Sequence, residues 1–164
     1  MKYYPPKLST LLKGLESSYE RFIKVQAERD TSDTFIALFE TLNWVVSVDD
    51  WIKHMSDSGR EWYTNFGEQR GLIVPALRYV RARVHHQWAH ALYLDPEGAE
   101  FPIVFPTGFH EWCWRDSKEL PSPDKGHEYA RGEMAYDSLL AHKAARHTLQ
   151  AVLGLVHDQT TSSP

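Results

Sequence analysis

Apolar residues recur at helical spacing along most of the chain. Leu8, Leu11, Leu12, Leu15, Tyr19, Phe22 and Ile23 fall three or four apart with Lys and Glu between them, which predicts an amphipathic helix over residues 8–29. Asp30-Thr31-Ser32-Asp33 supplies N-cap oxygens, after which Phe35, Leu38, Phe39, Leu42, Val45 and Val46 mark a second helix running towards His54. Ser56-Asp57-Ser58-Gly59 breaks the pattern, and Glu61-Trp62-Tyr63 with Phe66 reads as a short helical turn before Gly67 and Gly71. Pro75 suits the first turn of a third helix over about residues 75–93, where its missing N–H does no harm. Leu77, Val80, Val84, Trp88 and Ala91 give that helix an inward stripe.

The period then changes. Phe101-Pro102-Ile103-Val104-Phe105 and Phe109-His110-Glu111-Trp112-Cys113-Trp114-Arg115 flank Pro106-Thr107-Gly108, which reads as a small β-hairpin over about residues 100–116. Met134, Leu139, Leu140, Leu149, Val152, Leu153 and Val156 indicate a last helix over about residues 133–157, and the tail at 159–164 is expected to fray. The fold expected is mainly α: one domain over 1–164, a bundle of about four helices with a hairpin inserted before the last. Its helical core covers about 8–93 and 133–157.

Composition fits that picture. At 164 residues, with 42% apolar and 24% charged, the chain can bury one core without staples. Cys113 is the single cysteine, so no internal disulfide is available and a cytoplasmic location is expected. No run approaches the roughly 18 apolar residues of a membrane span, and the first residues lack a signal-like apolar stretch, so no membrane partner is expected.

Charge singles out one segment. Residues 1–66 carry 8 basic and 10 acidic side chains, residues 67–93 carry 4 and 1, and residues 94–164 carry 6 and 11. A segment of net +3, with three of the nine histidines, thus sits inside an acidic protein, and an anionic ligand would be met there. The acidic flanks argue against broad, non-specific nucleic-acid binding.

On the third helix, steps of about 100° per residue sort the polar groups into two clusters, Arg78, Arg81 and His85 on one flank and Tyr79, Arg83, His86 and His90 further round. Each joins permanent positive charge to an imidazole that titrates near neutrality. Metal-free RNA cleavage needs those two elements: a base for the ribose 2′-hydroxyl and a cation for charge developing on phosphate. The plainer reading is a solvated basic helix face.

Arg81-Ala82-Arg83-Val84-His85-His86 resembles the Arg-x4-His signature of HEPN-domain proteins. The resemblance implies an α-helical bundle, a homodimer whose paired motifs form one cleft, and Arg81 with His86 as the catalytic pair of a metal-independent endoribonuclease needing no cofactor. It further implies toxin–antitoxin or phage-defence roles, with RNA as substrate and a cognate antitoxin as partner. Arg78, Arg83 and Tyr79 are the accompanying substrate-binding candidates, and Glu40 and Asn43 of the second helix stand as supporting ones. An ideal helix sets Arg81 and His86 about 140° apart, whereas Arg81 and His85 share a face, so His85 is carried as an alternative base. Ala82 stands where the family often has Asn, and about 70 residues follow a motif that usually opens the last helix.

Two other readings use the same segment. His86 and His90, four apart on a helix, have metal-ligand spacing, with His54, His110 or Glu111 as a third ligand, an arrangement resembling the three-histidine bundles of the DinB family. A non-catalytic interaction or dimerisation module is the other. The aromatics around Trp112 and Trp114 are expected to pack on a helix rather than meet a partner, and Cys113 has no activating neighbour in sequence. His142, Lys143, Arg146 and His147 read as a solvated face that would extend the basic surface if the last helix lay beside the third. No P-loop, dinucleotide fingerprint or Ser elbow is present.

Overall fold

The computed structural model describes residues 7–28, 30–55, 61–95, 111–122 and 130–162. Its elements are α1 (Leu8–Glu28), α2 (Thr31–Met55), a 3-10 turn (Trp62–Phe66), α3 (Glu68–Gly71), α4 (Ile73–Gln87), β1 (Leu92–Asp95), β2 (Glu111–Trp114), a second 3-10 turn (Ser117–Glu119), α5 (Ala130–Leu139) and α6 (Ala145–Ser162). The protein is mainly helical with one small antiparallel sheet.

α1 and α2 form a helical hairpin whose tight turn is closed by Asp30. Its Oδ1 accepts from the backbone N–H groups of Ser32 (2.7 Å) and Asp33 (2.9 Å), satisfying two of the donors a helix start leaves open. Close approach of the two helices depends on Gly14, where a Cβ would stand 2.7 Å from the Trp44 ring. Leu11, Leu15 and Phe22 of α1 pack with Leu38, Leu42, Val45 and Ile52 of α2 in the core.

α4 is the central element. It packs against α2 and against α5, so Val74, Ala76, Leu77, Tyr79, Val80, Ala82, Arg83 and Val84 are all buried, nearly the full circumference. The α5 side comes closest at Gly132, where a Cβ would lie 2.9 Å from the Pro75 carbonyl oxygen and 3.0 Å from Tyr79 Cβ.

The second half of the chain departs from expectation in three places. The third helix stops at Gln87, not near residue 93, because Trp88 takes a left-handed conformation (φ 55°) and the Ala89 N–H closes back on the Arg83 carbonyl at 3.2 Å. Leu92–Asp95, read as the end of a helix, is instead the strand that pairs with Glu111–Trp114, in register Leu92 with Trp114 and Tyr93 with Cys113. The segment 101–105 expected to pair there lies outside the described residues.

The expected last helix is likewise two helices, α5 and α6, split at residues 140–144. That segment runs beside β2: the Trp114 N–H donates to the Lys143 carbonyl (3.1 Å) and the His142 N–H donates to the Trp114 carbonyl (2.8 Å). Hydrogen bonds to a strand replace those a continuous helix would have made. α6 also continues through Gln159 to Ser162, with the Thr160 and Thr161 hydroxyls donating to the His157 carbonyl, where fraying was expected. Trp112 and Trp114 are buried, as expected of core aromatics. No described helix is long and apolar enough to cross a membrane.

Candidate functional site

Two i,i+4 pairs meet where α4 crosses α2. From α4 come Arg81 and His85, which share a face, and from α2 come Phe39 and Asn43, which do the same. Arg81 Nη2 donates to Asn43 Oδ1 at 3.3 Å. His85 lies flat on the Phe39 ring, with centroids 3.6 Å apart and planes 15° from parallel, and its Nε2 is 2.9 Å from the Phe39 carbonyl oxygen.

That last contact sets the tautomer. A carbonyl oxygen only accepts, so Nε2 carries the hydrogen and the basic lone pair of neutral His85 is on Nδ1. Burial pulls the imidazole pKa below its ordinary 6.5, the hydrogen bond to Phe39 opposes that, and the positive charge of Arg81 lowers it further. His85 is therefore held neutral at pH 7 and able to take a proton.

A histidine whose folded pKa is depressed gives stability that is complete above the unfolded value of about 6.5 and is lost as pH falls through the folded value. Titration of His85 followed by NMR is expected to show a midpoint below 6.5, and the protein is expected to lose stability between pH 6.5 and that midpoint less steeply in His85→Phe. A midpoint above 6.5 would contradict the burial argument.

Arg81 is only partly committed. Besides its bond to Asn43, its Nε is buried without a hydrogen-bond partner among the described residues. On the neighbouring turn of α2, Glu40 is ion-paired with Arg21 of α1. The side-chain hydrogen bond that orients Arg81 is the one it donates to Asn43.

The other candidates are placed differently. His86 is exposed and lies about 140° round α4 from Arg81, so the sequence-nominated pair does not share a face within one chain. Arg78 is ion-paired with Asp49 and Asp50. Arg83, 2% exposed, packs its guanidinium 4.5 Å from the Tyr79 ring centroid, and Tyr79 is itself buried with its hydroxyl 3.4 Å from Glu133. Of the three substrate-binding candidates, Arg83 and Tyr79 are interior residues and Arg78 is held in its ion pairs with Asp49 and Asp50.

The metal reading loses its geometric premise. His86 and His90 are not one turn apart on a helix, because α4 ends between them and His90 instead packs on Phe35 at 4.9 Å. Glu111 is ion-paired with Arg146, His54 is exposed at the far end of α2, and His110 lies outside the described residues. Among the described residues no group of three or more His, Cys, Asp or Glu has metal-holding geometry. Cys113 is buried, which pushes its thiol up to about 11 and leaves it a poor nucleophile. Arg146 and His147 line a hollow with Tyr19 and Glu20 of α1, and His147 with Lys143 lines another beside Arg70 of α3 and Ile73 at the start of α4.

Sequence reasoning named Asn43 as a supporting candidate but missed Phe39, which supplies both the ring under His85 and the carbonyl that fixes its tautomer. The available signal was the matching i,i+4 spacing of Phe39 with Asn43 and of Arg81 with His85. No protein-family model, curated protein or solved structure matches the chain.

Proposed function

We propose that this chain is a HEPN-like, RNA-acting protein: a metal-independent endoribonuclease that works as a homodimer, of the kind used in toxin–antitoxin and phage-defence systems. The observation that carries the reading is the meeting of Arg81, His85 and Asn43 at the α2–α4 crossing, with a neutral imidazole beside a guanidinium. His85 Nδ1 takes the proton of the ribose 2′-hydroxyl. The 2′-oxygen attacks phosphorus, the P–O5′ bond breaks, and the leaving oxygen takes up a proton from solvent, giving a 2′,3′-cyclic phosphate and a 5′-hydroxyl end. Arg81, steadied by Asn43, stabilises charge on the non-bridging phosphate oxygens.

The test is incubation of the purified chain with mixed cellular RNA in EDTA. Arg81→Ala and His85→Ala are each expected to slow cleavage about a hundredfold or more, and Asn43→Ala about tenfold. His86→Ala is expected to cut at nearly the parent rate. Inversion of the two histidine results would move the base to His86, and RNA left intact by the parent would sink the nuclease reading.

One observation favours a second reading, a non-catalytic dimerisation or partner module. Ile36, on the same helix as Asn43, is 58% exposed and offers apolar surface that a partner would cover. Intact RNA, together with a dimer in solution that Ile36→Glu splits, would support it.

A further inference from the structure

Trp88 stands where both backbone and exposure disfavour a large side chain. It occupies the left-handed position that ends α4, where helices favour glycine and where a bulky side chain strains the backbone. Burial does not compensate, since the residue is 68% exposed. Its hydrogen bond to the Arg83 carbonyl is made by the backbone N–H and would be kept with any side chain.

What the indole does have is orientation. Its ring is 8° from parallel with Phe39, at a centroid separation of 6.1 Å, and Phe39 is 15° from parallel with His85. Three ring planes are thus nearly parallel, Trp88 among them is largely exposed, and Arg81 lies one turn of α4 behind His85. An exposed indole held parallel to the ring beneath a candidate general base fits a flat ligand that carries negative charge.

We propose that Trp88 is a stacking platform for an unpaired base of single-stranded RNA, seating the nucleotide next to the scissile phosphate while Arg81 meets the backbone; this rests on the RNA reading above. Stacking needs an unpaired π-face, so the protein selects single strands over duplex and is tolerant of sequence. Strain at the helix end is retained because the ligand, not the fold, uses the indole.

Binding is measured by fluorescence anisotropy with a 2′-O-methyl 12-mer oligoadenylate, which cannot be cut by 2′-oxygen attack, and with the same strand paired to its complement. Trp88→Gly is expected to weaken single-strand binding about tenfold, Trp88→Phe to retain most of it, and duplex binding to be weak and indifferent to either change. Trp88→Gly is also expected to melt no lower than the parent. A parent that cleaves RNA while Trp88→Gly binds the single strand equally well overturns the platform and leaves the nuclease standing. A parent that neither binds nor cuts overturns both, and a melting temperature lowered by more than about 5 °C would make Trp88 a packing residue.

Discussion

Asp49→Ala is expected to destabilise the protein by about 3–5 kcal/mol, read as a fall in the urea midpoint with little change in slope. Asp49 is 1% exposed on α2, yet it is surrounded by donors. Trp62 Nε1 donates to its Oδ1 at 2.8 Å, Lys53 Nζ stands 3.0 Å from its Oδ2, and Arg78 is paired with it and with Asp50. Truncation leaves a buried indole N–H with no acceptor and a half-buried guanidinium with only the exposed Asp50, which is why removing one partner costs more than the pair itself contributes. Asp49→Asn keeps an acceptor for Trp62 and should lose about half as much. Asp49→Leu combined with Arg78→Met should lose less than the sum of the single changes, because the guanidinium is then not left behind, although the Trp62 N–H still lacks its acceptor. A loss below about 1 kcal/mol for Asp49→Ala would show that the network is solvated in solution.

Trp114→Ala is expected to cost about 3–5 kcal/mol as well, through a cavity in place of a lost ion pair. Trp114 is fully buried, meets Tyr136 edge-on at 6.3 Å, and donates from Nε1 to Thr148 Oγ1 at 3.1 Å. It is the residue on which β2, α5 and α6 converge. Trp114→Phe keeps most of the volume and loses the hydrogen bond, so about 1–2 kcal/mol is expected from it. Equal losses for Phe and Ala would mean that the Thr148 bond, and not packing, holds the sheet to α6. Against a typical total stability of about 5–15 kcal/mol, either alanine variant removes a large share.

These two sites also mark where the sequence was legible and where it was not. α1, α2 and the Trp62 turn follow from apolar spacing and the Asp30 cap, because their structure is decided locally. The end of α4 was hidden for the opposite reason: Trp88, Ala91 and Leu92 continue a helical apolar pattern, and only tertiary pairing with β2 makes Leu92–Asp95 a strand. The break between α5 and α6 has the same origin, since nothing in Leu139–Ala145 excludes a helix and the contacts with Trp114 decide it.

Of the candidate site, the segment and the Arg81 position were readable from charge and motif spacing. His85 and His86 were both open in sequence, and that His85 is the one set against Phe39 depends on how α4 crosses α2, which spacing along the chain does not show. Arg78 and Arg83 illustrate why charge alone misleads. Both are basic residues on a basic helix, but one meets Asp49 from 29 residues upstream, which no local spacing shows, and the other is enclosed with its i,i+4 neighbour Tyr79, whose spacing is visible in sequence while its burial is not.

The placement of Cys113 gives the molecule an internal clock. It is the sole thiol of the chain, in the strand flanked by Tyr93 on one side and Ala144 on the other. Cys113 is 4% exposed, so a thiol reagent reaches it only when the structure around the strand opens. The rate of alkylation in native buffer therefore counts those openings, with no label added and no residue changed. Comparing that rate with the global unfolding rate would tell whether the sheet detaches as a separate cooperative unit while α1 and α2 stay folded.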